Sequence, residues 1–177
     1  MHEARIEDDD GRRVPADGGW FILNVRDLPW YSVEGGGTWC DFESPNARSP
    51  MLGIGIQVLR AGEAPGFYHE ETNQEGFLVL AGECIAIVEG EERRMGPWDY
   101  FHCPPRTRHI IVGAGDEPCT LLMVGTRSPH ARIRYVVEPA AARHGHSVAE
   151  YTDDARIAYR DRAPFLRAPG PAWPPPP

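Results

Sequence analysis

Two stretches decide the fold of this chain: FYHEETNQEGFLVLAGE at residues 67–83 and GPWDYFHCPPRTRHIIVG at residues 96–113. In both, a short apolar run lies next to turn signals made of glycine, proline or asparagine. The same pattern extends over residues 51–137, where apolar runs and turns follow one another and leave almost no room for a helix. Strands this short and this regularly interrupted indicate an all-β protein with an antiparallel sandwich or barrel.

The first stretch places imidazole and carboxylate side chains on an otherwise apolar face. His69 and Glu71 are two residues apart, so they point to the same side of an extended strand. Glu75 follows a bend and begins the next strand, where it shares a face with Phe77. A carboxylate on an apolar face is costly to bury alone, so Glu75 must find a cation, a metal ion or hydrogen bonds.

The second stretch adds another imidazole. The chain turns through Pro104 and Pro105 and restarts with His109, which shares a strand face with Ile111. The spacing of these polar groups favours a common site over isolated core residues.

The first stretch resembles the first motif of the cupin superfamily, whose small β-barrels carry an internal metal. The match is His69-x-Glu71-x3-Glu75-x6-Gly82, and Glu71 stands where the family usually has its second histidine. The resemblance covers residues 50–137. It implies a cupin-like jelly roll in a small single-domain bacterial cupin.

The second stretch resembles the second cupin motif, as Pro104-x-Arg106-x2-His109-x3-Gly113. The spacing is kept, while both glycines and the asparagine of the family pattern are replaced. The resemblance implies one divalent metal, and its expected ligands are His69, Glu71, Glu75 and His109. A nitrogen and oxygen site without thiolate suits Fe, Mn, Ni, Co or Zn. The alternative is a barrel without metal, in which the His and Glu side chains satisfy one another.

Further residues near the motifs are candidates for chemistry or substrate binding. Strand alternation puts His102 on one face with Tyr100, so His102 is a possible acid or base if that face lines the barrel. We also expect Glu71 to take part in catalysis. Arg106 and Arg108 flank the turn before His109, where a cation is suited to a substrate carboxylate. The expected substrate-binding residues are Arg106, Arg108, Tyr100 and Phe77. The alternatives are solvated turn arginines and a core histidine.

Composition limits the classes of protein to which the chain can belong. It has 177 residues, of which 41% are hydrophobic and 25% charged, so we expect one ordinary folded domain. The formal net charge is −8, and no dense basic patch is present, so nucleic acid is not an expected partner. All 18 basic residues other than histidine are arginine, which excludes a lysine Schiff base.

The cysteines and the N-terminal residues indicate where the protein works. The four cysteines form no C-x-x-C pair, and we expect reduced, partly buried thiols. The first residues, MHEARIEDDDGRR, are acidic where a signal peptide is basic and then apolar. No apolar run approaches the ~20 residues of a membrane span. We therefore expect a cytoplasmic protein without a membrane partner.

The expected organisation has three parts. Residues 1–19 read as a mobile arm, residues 20–137 as the barrel with its N-terminal strands, and residues 138–177 as a helical or irregular, proline-rich tail. Early strands are expected at Phe21–Val25, Leu28–Tyr31 and Thr38–Phe42. Short helices are expected within Pro139–Glu150 and Asp153–Arg160.

The function expected from these features is that of a metal-binding cupin enzyme acting on a small oxygenated organic molecule. Its reaction is of the dioxygenase (an oxidoreductase), decarboxylase or isomerase type. The alternative is a non-catalytic cupin that binds or senses a small molecule. We also expect a homodimer, because aromatic residues in both flanking segments need a surface to cover.

Overall fold

The fold is built almost entirely from short strands. The computed structural model describes residues 2–172, in which 14 strands and two short α-helices are present. The strands are β1 (Ile6–Asp8), β2 (Arg13–Pro15), β3 (Trp30–Val33), β4 (Gly37–Asp41), β5 (Leu52–Leu59), β6 (His69–Glu71), β7 (Glu75–Ala81), β8 (Glu83–Val88), β9 (Glu91–Met95), β10 (Tyr100–Cys103), β11 (His109–Ala114), β12 (Cys119–Thr126), β13 (Ile133–Tyr135) and β14 (Leu166–Ala168). The helices are α1 (Pro139–Arg143) and α2 (Ala155–Ala158), and a 3₁₀ turn spans Val25–Asp27.

The strands form two main sheets whose ladders are antiparallel throughout. One sheet has the order β10-β7-β12-β5-β4-β3-β14, and the other has the order β13-β6-β11-β8-β9. β1 and β2 form a separate hairpin. The predicted all-β antiparallel jelly roll is confirmed. Each strand is too short to be stable alone, so the sheets depend on burying their inner faces against each other.

The main core lies between the two sheets. Phe77, Val79 and Leu121 point inward from the seven-stranded sheet, and Ala86 and Ile111 meet them from the five-stranded sheet. These residues alternate along their strands with residues on the outer faces, as the two-residue period requires. The same alternation places His69, Glu75 and His109 on the inner faces.

The flanking segments cover the outer faces of both sheets. Leu28 and Trp30, from the N-terminal segment, pack on Cys40 and Ile56 of the seven-stranded sheet. On the other side, helix α1 packs its alanines against the outward-facing residues Ile87, Ile110 and Val112. Both segments are thus part of the folded unit.

The flanking segments differ in detail from the sequence-based expectations. Residues 1–19, expected as a mobile arm, contain the β1–β2 hairpin. No strand forms at Phe21–Val25, while the other two early strands form close to their expected positions. Both expected helical regions contain a short helix. The tail adds strand β14 to the edge of β3, and its last residues, 173–177, lie outside the described residues.

The cysteines and the lengths of the helices can be compared directly with the expectations from the sequence. All four cysteines are free, and they are buried where the sequence predicted partly buried thiols. Among residues 2–172, the longest helix has five residues, and no helix is long and apolar enough to cross a membrane.

Gly82, the last residue of the first motif, occupies a turn that only glycine fits. Its φ is +68°, and a Cβ at this position would lie 2.4 Å from the carbonyl oxygen of Pro118. We therefore expect Gly82→Ala to lower the free energy of unfolding by about 3 kcal/mol, from left-handed backbone strain and overpacking together. Urea unfolding followed by circular dichroism measures this loss.

Gly62→Ala is the matched control for this substitution. Gly62 also has a positive φ, +84°, but nothing lies within 4 Å of its Cβ position. We expect a loss of about 1–2 kcal/mol from backbone strain alone. Equal losses at both glycines would contradict the steric explanation.

Candidate metal centre

Three strands bring the motif residues together inside the barrel. His69, the first residue of β6, is the cross-strand partner of His109, the first residue of β11. Their ring centroids are 4.8 Å apart. Glu75 begins β7 in the opposite sheet and reaches the same point. Among the described residues, the ligand atoms of these three side chains lie within 4.8 Å of one another.

Backbone carbonyl groups set the orientation of both imidazole rings. Nδ1 of His69 lies 2.7 Å from the carbonyl oxygen of Phe67, and Nδ1 of His109 lies 3.0 Å from that of Thr107. A carbonyl oxygen only accepts hydrogen bonds, so Nδ1 carries the proton in each ring. In the neutral rings, each Nε2 therefore presents a lone pair to the site.

The carboxylate of Glu75 completes an arrangement that suits a cation. Its Oε2 lies 3.3 Å from Nε2 of His109, yet this buried atom has no hydrogen-bond partner among the described residues. When the carboxyl group is ionised, two acceptor atoms face each other without a proton donor between them. Buried polar groups are normally satisfied, so the pair fits a metal ion bound between them.

Burial shifts the protonation of the cluster in a consistent direction. Burial of the side chain away from water, which is the larger cause, and the nearby charge of Glu71, which is the smaller one, raise the pKa of Glu75 to about 8. Burial and then the neighbouring His69 lower the pKa of His109 to about 4. Burial also lowers the pKa of His69. At neutral pH the histidines are already in the form that binds metal, whereas Glu75 must lose its proton on binding.

Glu71 lies beside this cluster. Its Oε1 is 3.9 Å from Nε2 of His69, and 27% of its side chain is exposed. It shares the inner face with His69, while its neighbour Glu70 takes the outer face and pairs there with Arg108 and Arg134. The geometry leaves Glu71 free to act as a fourth ligand or as a group that exchanges protons.

Of the expected substrate-binding residues, the structure places Phe77 in the site. It is 5% exposed, and its ring centroid lies 5.4 Å from that of His109. Phe77 thus forms part of the apolar wall behind the candidate metal ligands.

His102 and Tyr100 lie on the outer face of strand β10. Both side chains are exposed, Tyr100 by 60%, because Phe101 and Cys103 take the inner face of the same strand. A catalytic role for His102 depended on that face lining the barrel, and the structure places it on the other side.

Arg106 and Arg108 are exposed and do not reach the interior. Arg106 sits in the turn with φ +69°, and its backbone N–H donates to the carbonyl oxygen of Glu71 at 2.6 Å. Nε of Arg108 lies 3.3 Å from Oε2 of Glu70. This places Arg106 and Arg108 as the solvated turn arginines of the alternative interpretation.

Several residues around the site were not predicted from the sequence. Tyr135 is the cross-strand partner of His69 and is 3% exposed. The ring of Phe101 lies 5.8 Å from that of His109, and Sγ of Cys103 lies 3.4 Å from Nδ1 of His109. The apolar character of Phe101 and Cys103 was the available signal, since the more apolar face of β10 faces inward. For Tyr135 the sequence offered only a short alternating run.

The fold and the site define an antiparallel β-barrel with a His and Glu cluster inside it. Residues 55–125 match the cupin domain family, so this part of the barrel is similar to the cupin superfamily. The resemblance seen in the two sequence motifs is thereby confirmed.

Solved structures share this barrel. A sugar phosphate isomerase of the cupin superfamily from Silicibacter pomeroyi is 22% identical over 64% of this chain and 80% of that chain, with a TM-score of 0.54. KdgF from Halomonas sp. is 25% identical over 63% of this chain and 96% of that chain, with a TM-score of 0.51. A structure from Acidithiobacillus ferrooxidans is 20% identical over 55% of this chain and 65% of that chain, with a TM-score of 0.48. The search of curated proteins gave no match.

The raised pKa of Glu75 predicts how stability depends on pH when no metal is present. A carboxyl group with a raised pKa in the folded state costs stability as pH rises from its ordinary value, 4.5, to about 8. The lowered pKa values of His69 and His109 change stability only below about pH 6.5. Between pH 6.5 and 8, the pH dependence of stability that comes from Glu75 can therefore be measured apart from that of the histidines. We expect metal-free Glu75→Gln to melt above wild type at pH 8, by a margin that narrows towards pH 6.5.

Metal addition should reverse this order. Saturation with a divalent metal at about 100 times its Kd should stabilise wild type by about 2.7 kcal/mol, and Glu75→Gln by much less. Thermal melts of wild type and variant, with and without metal, measure both effects. The exposed Glu150→Gln serves as a charge-matched control. A margin between Glu75→Gln and wild type that is constant across the pH range would contradict the assignment.

Proposed function

We propose that this protein is a metal-dependent enzyme that acts on a small oxygenated organic molecule by an isomerase-type proton transfer. The observation that carries the proposal is the buried Oε2 of Glu75, which faces the lone pair of His109 without a hydrogen-bond partner in the described part of the chain. A divalent cation satisfies both atoms. When bound, it polarises a substrate oxygen and makes an adjacent C–H group more acidic.

The donor set limits the metal. Two imidazole nitrogens and one or two carboxylates suit Fe, Mn, Ni, Co or Zn. Burial raises the pKa of Cys103 to about 12, and its sulfur lies on the Nδ1 side of His109. Cys103 therefore remains a thiol and acts as a neighbour of the ligand His109.

A cavity beside the cluster favours a substrate with an apolar part. It has a volume of about 590 Å³ and lies between β9 and β10, the edge strands of the two sheets. Its inner wall includes Val88, the cross-strand partner of His109, and Phe101, whose ring contacts His109. Ligand pockets of small molecules have this size. Beside the apolar wall, this cavity is also lined by the charged residues Glu89, Glu91, Arg93, Arg94 and Asp99.

Glu71 is the group best placed to move a proton. It lies on the inner face beside His69, outside the tightest ligand group, and it is partly open to solvent. A carboxylate at this position can take a proton from one substrate carbon and return it to another. The structural neighbour from Silicibacter pomeroyi is a sugar phosphate isomerase, which adds an argument from fold alone.

A dioxygenase is the second candidate, and the observation in its support is the set of donor atoms. Two histidines and one carboxylate with open positions are typical of non-haem Fe(II) oxygenases. A decarboxylase uses the same polarisation of a substrate oxygen. A non-catalytic binding cupin is the alternative from a different class of protein.

The expected homodimer stays a prediction. One of the aromatic residues that motivated it finds cover within the chain, since Tyr159 stacks on Phe67, whereas Phe165 contacts Trp39 edge-on and stays 63% exposed. Leu52, Ile54 and Tyr100 are at least 40% exposed and leave apolar surface that a second copy would bury. A cytoplasmic location also remains a proposal.

A solution screen tests the proposed function and separates it from the alternatives. Protein loaded with each of the five metals is incubated in D2O with ketoses, hydroxy acids and diketones, and followed by NMR and an oxygen electrode. An isomerase gives deuterium exchange and a rearranged product without oxygen uptake. Oxygen uptake with iron alone indicates a dioxygenase, and saturable binding without turnover indicates a binding protein.

Glu71→Gln tests the role of the proton-transfer group. We expect turnover to fall by about 10²–10⁴-fold, because a general base of this kind contributes that factor. Metal affinity should stay within about tenfold of wild type. Glu70→Gln, on the same strand but with its side chain on the outer face, is the matched control and should keep its turnover. Unchanged turnover in Glu71→Gln would contradict the proposed role.

A further inference from the structure

The C-terminal segment, residues 151–168, runs along the barrel close to the candidate metal centre. Thr152 forms a β-bridge with Tyr135, the cross-strand partner of His69. The segment then forms α2, donates from the Arg162 guanidinium to the carbonyl oxygen of Pro65, and ends as β14 beside β3. It is therefore anchored on both sides of Tyr159.

Tyr159 makes a specific contact with Phe67, two residues before His69. The backbone N–H of Phe67 donates a hydrogen bond to the Tyr159 hydroxyl at 3.2 Å. The two rings are stacked, with centroids 5.2 Å apart and an interplanar angle of 22°. The Arg162 guanidinium lies 5.0 Å from the centre of the Tyr159 ring. Hydrogen bonding and stacking together fix the position of Phe67.

Phe67 is also the residue that orients a metal ligand. Its carbonyl oxygen accepts the Nδ1–H of His69 at 2.7 Å. One residue therefore uses its N–H to hold Tyr159 and its C=O to hold His69. A displacement of Phe67 would rotate or release the imidazole of His69, whose Nε2 faces the site.

The chain leaves room for this contact. A Cβ at Gly66 would lie 2.4 Å from the Tyr159 hydroxyl, so only glycine permits the observed approach. Tyr159 also packs edge-on against Tyr135, with centroids 5.4 Å apart, and Tyr135 lies 6.0 Å from the His69 ring. Tyr159 thus contacts Phe67, two residues before His69 in the chain, and Tyr135, the partner of His69 on the adjacent strand.

We propose that Tyr159 is a positioning residue of the metal centre, which holds His69 in its ligating orientation through Phe67. The proposal rests on the proposed metal-binding function. It makes the C-terminal segment part of the site, although Tyr159 is 90 residues away from His69 along the chain.

Two substitutions remove the contact in different ways. Tyr159→Phe keeps the stacked ring and removes the hydroxyl acceptor. Gly66→Ala leaves Tyr159 intact and pushes its hydroxyl away. The matched controls are Tyr151→Phe, at a tyrosine that is 57% exposed, and Gly18→Ala, where nothing lies within 4 Å of the Cβ position.

The readouts are metal affinity and the geometry of the bound metal, both in the full-length chain. Calorimetric titration with CoCl2 and ZnCl2 gives the affinities, and the visible spectrum of the Co(II) form reports ligand geometry. We expect one metal per wild-type chain, about tenfold or more weaker binding in both variants, and altered Co(II) bands. Both controls should match wild type.

The outcomes separate this proposal from the proposed function. Wild-type affinity and an unchanged Co(II) spectrum in Tyr159→Phe and Gly66→Ala would overturn the positioning role and leave the metal centre intact. A wild-type chain that binds neither metal would overturn both. Melting of the metal-free variants shows whether they fold, and a weakened Co(II) site in a variant that melts like wild type supports positioning over a general structural role.

Discussion

The pairing of His69 with His109 across β6 and β11 is the contact on which the candidate site depends. It places two imidazoles side by side on the inner face of the five-stranded sheet, and the opposite sheet supplies Glu75. Strand side chains alternate, so a shift of this register by one residue would turn a histidine to the outer face. The outward neighbour Ile110 resists such a shift, since it packs in a buried cluster.

The site is costly to the fold and useful for the same reason. Burial keeps both histidines neutral and raises the pKa of Glu75, so the charged form of the carboxyl is disfavoured until a cation is present. An apolar core at this place would be more stable. The chain instead loses some stability by burying His69, Glu75 and His109, whose ligand atoms lie close together. Such a local conflict with packing is typical of a functional site.

The sequence predicted the cluster well because its evidence was local. His69 and Glu71 share a face through the two-residue period of a strand, and the spacing to Glu75 follows the motif. The sequence could group His102 with Tyr100, but alternation alone does not say which face of β10 is inside. That choice depends on packing between sheets, where the apolar Phe101 took the interior.

Contacts between distant parts of the chain were beyond the reach of sequence patterns. Nothing in residues 151–168 marks Tyr159 as a neighbour of Phe67, because the contact exists only after β14 has paired with β3 and Thr152 with Tyr135. In the proposed positioning role, the orientation of His69 therefore depends on a residue 90 positions further along the chain, through the two hydrogen bonds that Phe67 makes with Tyr159 and with His69.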